Sequence, residues 1–400
     1  MIDISVLYTG LETPSTPHRY GREITQIDPP EYQRMRRARS AKERRPIVVW
    51  NLTRTCNLKC QHCYTDSENR KYEGELSTEE CKAVLDDLAA FRVPAVLFSG
   101  GEPLSRKDIF ELAAYARSLG LHVVLSTNGT LITPEVARKL KDLQFAYVGI
   151  SLDSAFPEVH DRFRGMEGAY ERTMKGFRNC VDVEQKVGLR LTLTRETCEN
   201  LDHIFDLIER EGIHRACFYH LCPSGRGKDL YRMDPEQSRQ AIETILERTR
   251  DLNERGKNVE ILTVDNHCDG IFLQQKMERE GHPRAGQVKE MLEWNGGARY
   301  SSGVGISNID FDGDVHADQF SMFRSFGNVR DRPFSEIWQD TSNEIMAGLK
   351  ERLDHLQGRC AECRHVTRCG GGLRARAEVV TGNPWAPDPG CYLSDEEISA

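Results

Sequence analysis

The sequence predicts an α/β fold: parallel strands joined by helical crossovers, forming a barrel or part of one, with a smaller cysteine-rich region behind it. Three observations carry this. From Pro46 onward short β-rich runs alternate with amphipathic helical stretches, as parallel strands with crossover helices require. Three cysteines follow the first of those runs, at a strand C-terminal end, where barrel folds collect their chemistry. After about Leu230 the alternation stops, and the tail from Gly358 to Cys391 carries four more cysteines with little apolar periodicity.

The predicted strands are Ile47 to Leu52, Ala95 to Ser99, His122 to Ser126, Tyr147 to Ser151, Gly188 to Leu193 and Ala216 to Leu221. Between them stretches such as "STEECKAVLDDLAAF" and "PEVARKLKDL" begin with helix-start residues and place apolar side chains three and four apart, the helical spacing. Beyond Leu230 a helix runs to roughly Arg255, followed by the irregular "TVDNHCDG", another helix and the Gly-rich "WNGGARYSSGVGI". A hairpin is expected at "IDFDGDVHA", where Asp312 and Gly313 supply the turn. The division that follows is an N-terminal extension (1–45), a barrel core (46–230), a connecting, substrate-covering region (231–300) and a cysteine-bearing domain (301–400).

A chain of 400 residues suffices for one large and one smaller domain. No apolar run approaches the roughly 20 residues of a membrane-spanning helix, and the N-terminus has no secretory pattern. A cytoplasmic location is expected. The net charge of −8 gives no general reason to expect nucleic acid. One local exception is the basic run from Arg34 to Arg45, a solvated helix face or a surface over a carboxylate-rich substrate. Of the 13 cysteines, seven fall into two clusters, which in a reducing compartment read as metal ligands. The other six, Cys81, Cys180, Cys198, Cys217, Cys222 and Cys268, are expected to be buried small hydrophobes.

Cys56, Cys60 and Cys63 are separated by three residues and then two. A closed zinc or iron–sulfur site takes four ligands, whereas three thiolates on a four-iron cluster leave one iron open to a small molecule. Spacing alone also admits a three-ligand zinc site. With the aromatic His62 before the last cysteine, the motif resembles that of the radical S-adenosylmethionine (radical SAM) enzymes. Further pieces fall in order at or just after strand ends: "SGGEP" (Ser99 to Pro103), "STNGT" (Ser126 to Thr130), "GISLDS" (Gly149 to Ser154) and "HDRFRG" (His160 to Gly165). The resemblance implies a partial (β/α)6 TIM-like barrel. It also implies S-adenosylmethionine chelated to a [4Fe-4S] cluster on Cys56, Cys60 and Cys63. His62, Gly100, Gly101, Glu102, Pro103, Ser126 and Asn128 would surround the cofactor, with Glu102 on the methionine amino group. Ser151 and Asp153 would bind its ribose and Arg164 its carboxylate.

Cys360, Cys363, Cys369 and Cys391 are spaced C-x2-C-x5-C-x21-C, enough to close a zinc or an iron–sulfur site. With "GNVRDRPFSEIW" (Gly327 to Trp338) just upstream, this segment resembles the SPASM extension, which implies an auxiliary [4Fe-4S] cluster. Tyr300 and Asp318 stand where a second auxiliary cluster would need cysteines, so two clusters in all are expected. Over nearly the whole chain, including "TVDNHCDG" and "DGDVHADQF", the sequence resembles the branch of the family that acts on siroheme-derived tetrapyrroles. The deacetylases of that branch convert 12,18-didecarboxysiroheme to iron-coproporphyrin III; relatives make the dioxo precursor of d-type haem. The implied partners are an iron tetrapyrrole and an electron donor such as ferredoxin or flavodoxin. Arg226 and the basic run are the cations expected for its propionates; His267 and His316 are candidate axial ligands for its iron. The rival classes are a SPASM enzyme that modifies a peptide and a non-enzymatic metal scaffold.

Overall fold

The computed structural model describes residues 1–13, 16–20, 44–228, 230 and 233–399. Its centre is one ten-stranded sheet, in the order β1-β8-β7-β6-β5-β4-β3-β2-β9-β10. The strands are β1 (Ile2–Asp3), β2 (Ile47–Asn51), β3 (Val96–Ser99), β4 (Val123–Thr127), β5 (Tyr147–Ser151), β6 (Val187–Leu193), β7 (Arg215–His220), β8 (Glu260–Val264), β9 (Ile306–Ile309) and β10 (Val315–His316). Neighbours from β9 through β2 to β8 are parallel, and only the edge strands β1 and β10 run antiparallel.

All six predicted strands form, within a residue or two of their expected bounds. They are apolar runs because a parallel sheet covered by crossover helices buries both faces. The crossover helices start where the sequence signals. Ser77 caps Thr78–Ala90 with a reciprocal bond to Glu80, and Thr133 caps Pro134–Asp142, with proline in its first turn. The buried face of the first of these carries Cys81, Val84, Leu85 and Leu88. Under the sheet, Trp50, Phe98 and Phe145 meet edge to face at 6.5 and 6.4 Å.

Beyond the six, the sheet is wider than expected. β8 lies between the predicted helix and the stretch read as irregular and overlaps that stretch only at Thr263 and Val264, since its three apolar residues carry too short a pattern to show a period. The predicted hairpin is β9–β10, with Gly313 at φ +92° in its turn. It continues the sheet, because β9 pairs in parallel with β2. Of the basic run, Arg34 to Glu43 lie outside the described residues. Arg44 and Arg45 pack on protein: Arg44 lies over the Tyr300 ring, and Arg45 lies over Phe91 and donates to its carbonyl oxygen.

Candidate active site

The cysteine loop leaves β2 at the C-terminal edge of the sheet and is held from outside itself. Lys59 and Gln61 N–H groups donate to the Arg164 and Phe163 carbonyls, and the Cys56 N–H donates to the Glu68 carbonyl. Each sulfur has a donor near it. Leu58 N–H lies 3.4 Å from Cys56 Sγ, Ser67 N–H lies 3.4 Å from Cys63 Sγ, and Arg164 Nη1 lies 3.7 Å from Cys60 Sγ. Burial pushes the Cys56 and Cys60 thiols up, so ionising them calls for nearby positive charge, which a bound metal supplies. His62 is stacked on Phe163 at 4.7 Å, and burial pulls its imidazole down to about 4.

The three cysteines line a hollow of about 120 Å³ together with Gly100, Gly101, Ser126, Asn128, Ser151 and Arg164. A side chain at Gly101 would run into the Thr55 and Arg54 carbonyl oxygens, so the "GGEP" turn can sit this close only as glycine. Arg164 pairs through Nη2 with Asp153 at 2.5 Å, and among the described residues its buried Nε has no hydrogen-bond partner. An unpartnered guanidinium nitrogen fits a ligand carboxylate. The donor set and this free nitrogen therefore fit the cluster and cofactor that the sequence implies.

Two residues expected at the cofactor, Glu102 and Asp153, are engaged by protein groups. Glu102 is buried, and its carboxylate accepts from Leu104 N–H, Thr127 Oγ1 and Asn128 N–H at 2.8 to 3.0 Å. It ties the loops after β3 and β4 together, and Pro103 follows it as the first residue of a short 3₁₀ turn. Burial pushes its carboxyl up to about 7 against those three bonds. Asp153 likewise accepts from Thr192 N–H and holds Arg164; neither carboxylate lines the hollow.

A second cavity of about 140 Å³ opens beside the first inside the strand ends. Six residues line both: His62, Tyr64, Ser99, Ser126, Ser151 and Arg164. Its far wall holds residues the sequence reading missed, Arg190, Tyr219, His220 and Phe320. Arg190 donates to Ser126 Oγ at 2.5 Å and lies 4.7 Å from the Tyr219 ring centre. Its signal was an arginine alternating with Leu189, Leu191 and Leu193, which places it on the face opposite the leucines.

The three substrate residues expected from sequence are not in this cavity. Arg226 donates from Nε to Cys60 O at 2.8 Å and from Nη2 to Ser67 O at 3.0 Å, so it braces the cysteine loop. His316 is buried with both ring nitrogens engaged, by Arg324 O and Asp310 Oδ2, which leaves no lone pair for iron. His267 lines a separate hollow, its Nε2 3.1 Å from the Met1 amino nitrogen.

Cys360, Cys363, Cys369 and Cys391 line one hollow of about 30 Å³. Cys268 lines it too and is buried, as expected of a core thiol. Among the other five, Cys81, Cys180 and Cys217 are buried, Cys198 is half-buried, and Cys222 lines the second cavity. Asp318, in place of a cysteine, accepts from Phe320 N–H, Ser321 N–H and Ser321 Oγ at 2.9 to 3.0 Å.

The sequence profile of the Radical SAM superfamily matches residues 50–208. The Fe-coproporphyrin III synthase of Methanosarcina barkeri is 52% identical, covering 100% of this chain and 99% of that protein. The pre-heme d1 synthase of Dinoroseobacter shibae is 40% identical over 88% of this chain and 87% of its own length. Streptococcus suis SuiB bound to precursor peptide SuiA has the same fold at a TM-score of 0.69 and 18% identity, covering 94% of this chain and 82% of that one. So does anSMEcpe with bound AdoMet, at 0.68 and 18%, covering 88% and 95%. Among the described residues no helix is long and apolar enough to cross a membrane. With a whole-chain relative at this identity and the cysteine loop at the end of β2, the chain belongs to the radical SAM superfamily and is a radical SAM enzyme.

Proposed function

We propose that this enzyme removes two acetate side chains from 12,18-didecarboxysiroheme and releases iron-coproporphyrin III in haem biosynthesis. The observation that carries the reading is the pair of cavities sharing one wall, in a chain similar over its full length to an Fe-coproporphyrin III synthase. Cys56, Cys60 and Cys63 would hold the [4Fe-4S] cluster. The glycine backbone, Ser126, Asn128, Ser151 and Arg164 would seat S-adenosylmethionine beside it. Reductive cleavage of that cofactor supplies a 5′-deoxyadenosyl radical, which suits a carbon–carbon bond that lacks a good leaving group.

The chain's own residues then position and shield. Arg190, held by Ser126 and Tyr219, presents a fixed positive charge to a substrate carboxylate in the adjoining cavity. His62, Tyr64 and Arg164, on the shared wall, set the separation of the two ligands. Cys360, Cys363, Cys369 and Cys391 would carry one auxiliary [4Fe-4S] cluster in a SPASM-like extension, and a ferredoxin or flavodoxin would deliver electrons in the cytoplasm.

The test is anaerobic incubation of reduced enzyme with didecarboxysiroheme, followed by product masses. Iron-coproporphyrin III should form with roughly two S-adenosylmethionine consumed, one for each side chain lost. A product with oxo groups in place of those side chains would move the chain beside its pre-heme d1 relative. Failure to bind any tetrapyrrole would defeat the reading and leave a peptide substrate as its rival. The auxiliary cluster is tested by replacing Cys56, Cys60 and Cys63 with alanine. Visible iron–sulfur absorption should persist and disappear only when the other four cysteines also go; stoichiometric zinc without sulfide would refute it.

A further inference from the structure

His220 ends β7 at the cavity wall. Its Nε2 lies 2.9 Å from Asp269 Oδ2, in the helix Cys268–Arg279. Asp269 Oδ1 in turn accepts from the Tyr392 hydroxyl at 2.8 Å. The side chains of His220 and Asp269 are 7% and 0% exposed, so this chain of bonds is shielded from water and fixes the ring. With Asp269 accepting, Nε2 carries the proton and Nδ1 keeps its lone pair. Among the described residues Nδ1 has no hydrogen-bond partner and keeps some exposure, and the residue lines the 140 Å³ cavity.

An imidazole with one nitrogen donating to a carboxylate and the other free is the arrangement of metal-ligating histidines. The carboxylate fixes the tautomer and raises the basicity of the ligating nitrogen. No other group on this wall matches it. Cys222 is a thiol pushed well up by burial and so is a poor ligand without its proton lost. His62 belongs to the cysteine loop, is stacked on Phe163, and has no carboxylate to orient it. We infer that His220, oriented by Asp269 and Tyr392, is the axial ligand for the iron of the tetrapyrrole substrate. The inference rests on the function proposed above and replaces the candidates His267 and His316. It also joins the two halves of the chain: Tyr392 follows Cys391, and Asp269 follows Cys268, so the ligand is held by the segments around the auxiliary cysteines.

The experiment titrates ferric iron-coproporphyrin III into the full-length protein and follows the haem by electron paramagnetic resonance, with metal-free coproporphyrin III as the control. Wild type should give a histidine-ligated signal. His220→Ala should lose that signal and regain it when free imidazole is added, while binding the metal-free porphyrin as wild type does. Asp269→Asn, the milder change, should keep the histidine signal with affinity for the iron form reduced roughly 10-fold. An unchanged signal and affinity in His220→Ala overturns the assignment and leaves the proposed function standing. Absence of binding of either porphyrin to wild type overturns both.

Discussion

Each cysteine group is built beside a buried arginine–aspartate pair, and the two pairs are satisfied differently. In the barrel, Arg164 holds Asp153 through one nitrogen and approaches Cys60 through another, and its Nε is left without a partner at a hollow. In the C-terminal region, Arg376 and Asp388 meet in two parallel bonds of 2.7 and 2.8 Å. Asp388 also accepts from Leu373 and Gly390 N–H, while Arg376 reaches Asp265 O across to the barrel. The first pair keeps capacity for a ligand; the second is closed. The surroundings differ in the same direction. The triplet loop is braced by Arg226 and by backbone bonds to the helix Pro157–Arg164. The quartet sits among helices of four residues, Gly358–Ala361 and Val366–Cys369, too short to be stable alone. The first region keeps bonding capacity at a hollow, whereas the second is built of elements that the auxiliary cluster proposed above would hold together.

The largest effect should come from the triplet. Replacing Cys56, Cys60 and Cys63 with alanine should abolish 5′-deoxyadenosine formation while the melting temperature stays close to wild type, because protein bonds already hold that loop. A collapse in stability comparable to the loss of activity would break the contrast. The quartet should behave in the opposite way: with Cys360, Cys363, Cys369 and Cys391 changed together, the region from Arg352 to Ile398 should become sensitive to limited proteolysis under conditions that leave the barrel intact. Equal resistance of the two regions would show that the C-terminal region folds without the proposed cluster.

The barrel half of this contrast was legible in the sequence and the C-terminal half only in outline. Strands buried on both faces are apolar runs, and glycine, capping residues and cysteine spacing mark their ends, so β2 to β7 and the cysteine loop could be read locally. What could not be read depends on long-range meeting. His220 finds Asp269 49 residues away, and Asp269 finds Tyr392 123 residues away; no local pattern joins them. Arg226, flanked by glycines, looked free for a substrate, yet the chain folds its guanidinium onto the carbonyls of Cys60 and Ser67. His316 looked like a metal ligand, yet Asp310 of the hairpin and the Arg324 carbonyl beyond it engage both its nitrogens.

A sharper test of the closed pair is Arg376→Met. It leaves the Asp388 carboxylate buried without its cation, and the loss of one partner of such a pair costs about 3–5 kcal/mol. Chemical denaturation should register that loss in the transition reporting on the C-terminal region. An effect below about 1 kcal/mol, the range of exposed pairs, would mean that the pair is not what closes the region.

The smallest effect belongs to the exposed tie between the same two halves. Glu80, on the helix Thr78–Ala90, pairs with Arg330 at 2.6 Å, and both side chains are more than a third exposed, at 39% and 36%. Arg330 and the Ser77 N–H draw the Glu80 carboxyl down to about 2. A carboxylate whose folded value lies below its unfolded one stabilises the protein above the unfolded value, and that contribution is lost as pH falls. For Glu80 the window runs from about 4.5 down to about 2. Solvent and salt screen the pair, so its contribution should stay within about 1 kcal/mol. Glu80→Gln should therefore lower stability slightly at neutral pH, and the difference from wild type should vanish as pH falls through that window and shrink in high salt. A loss as large as that of Arg376→Met, or one that persists at low pH, would show that the exposed tie matters as much as the buried pair.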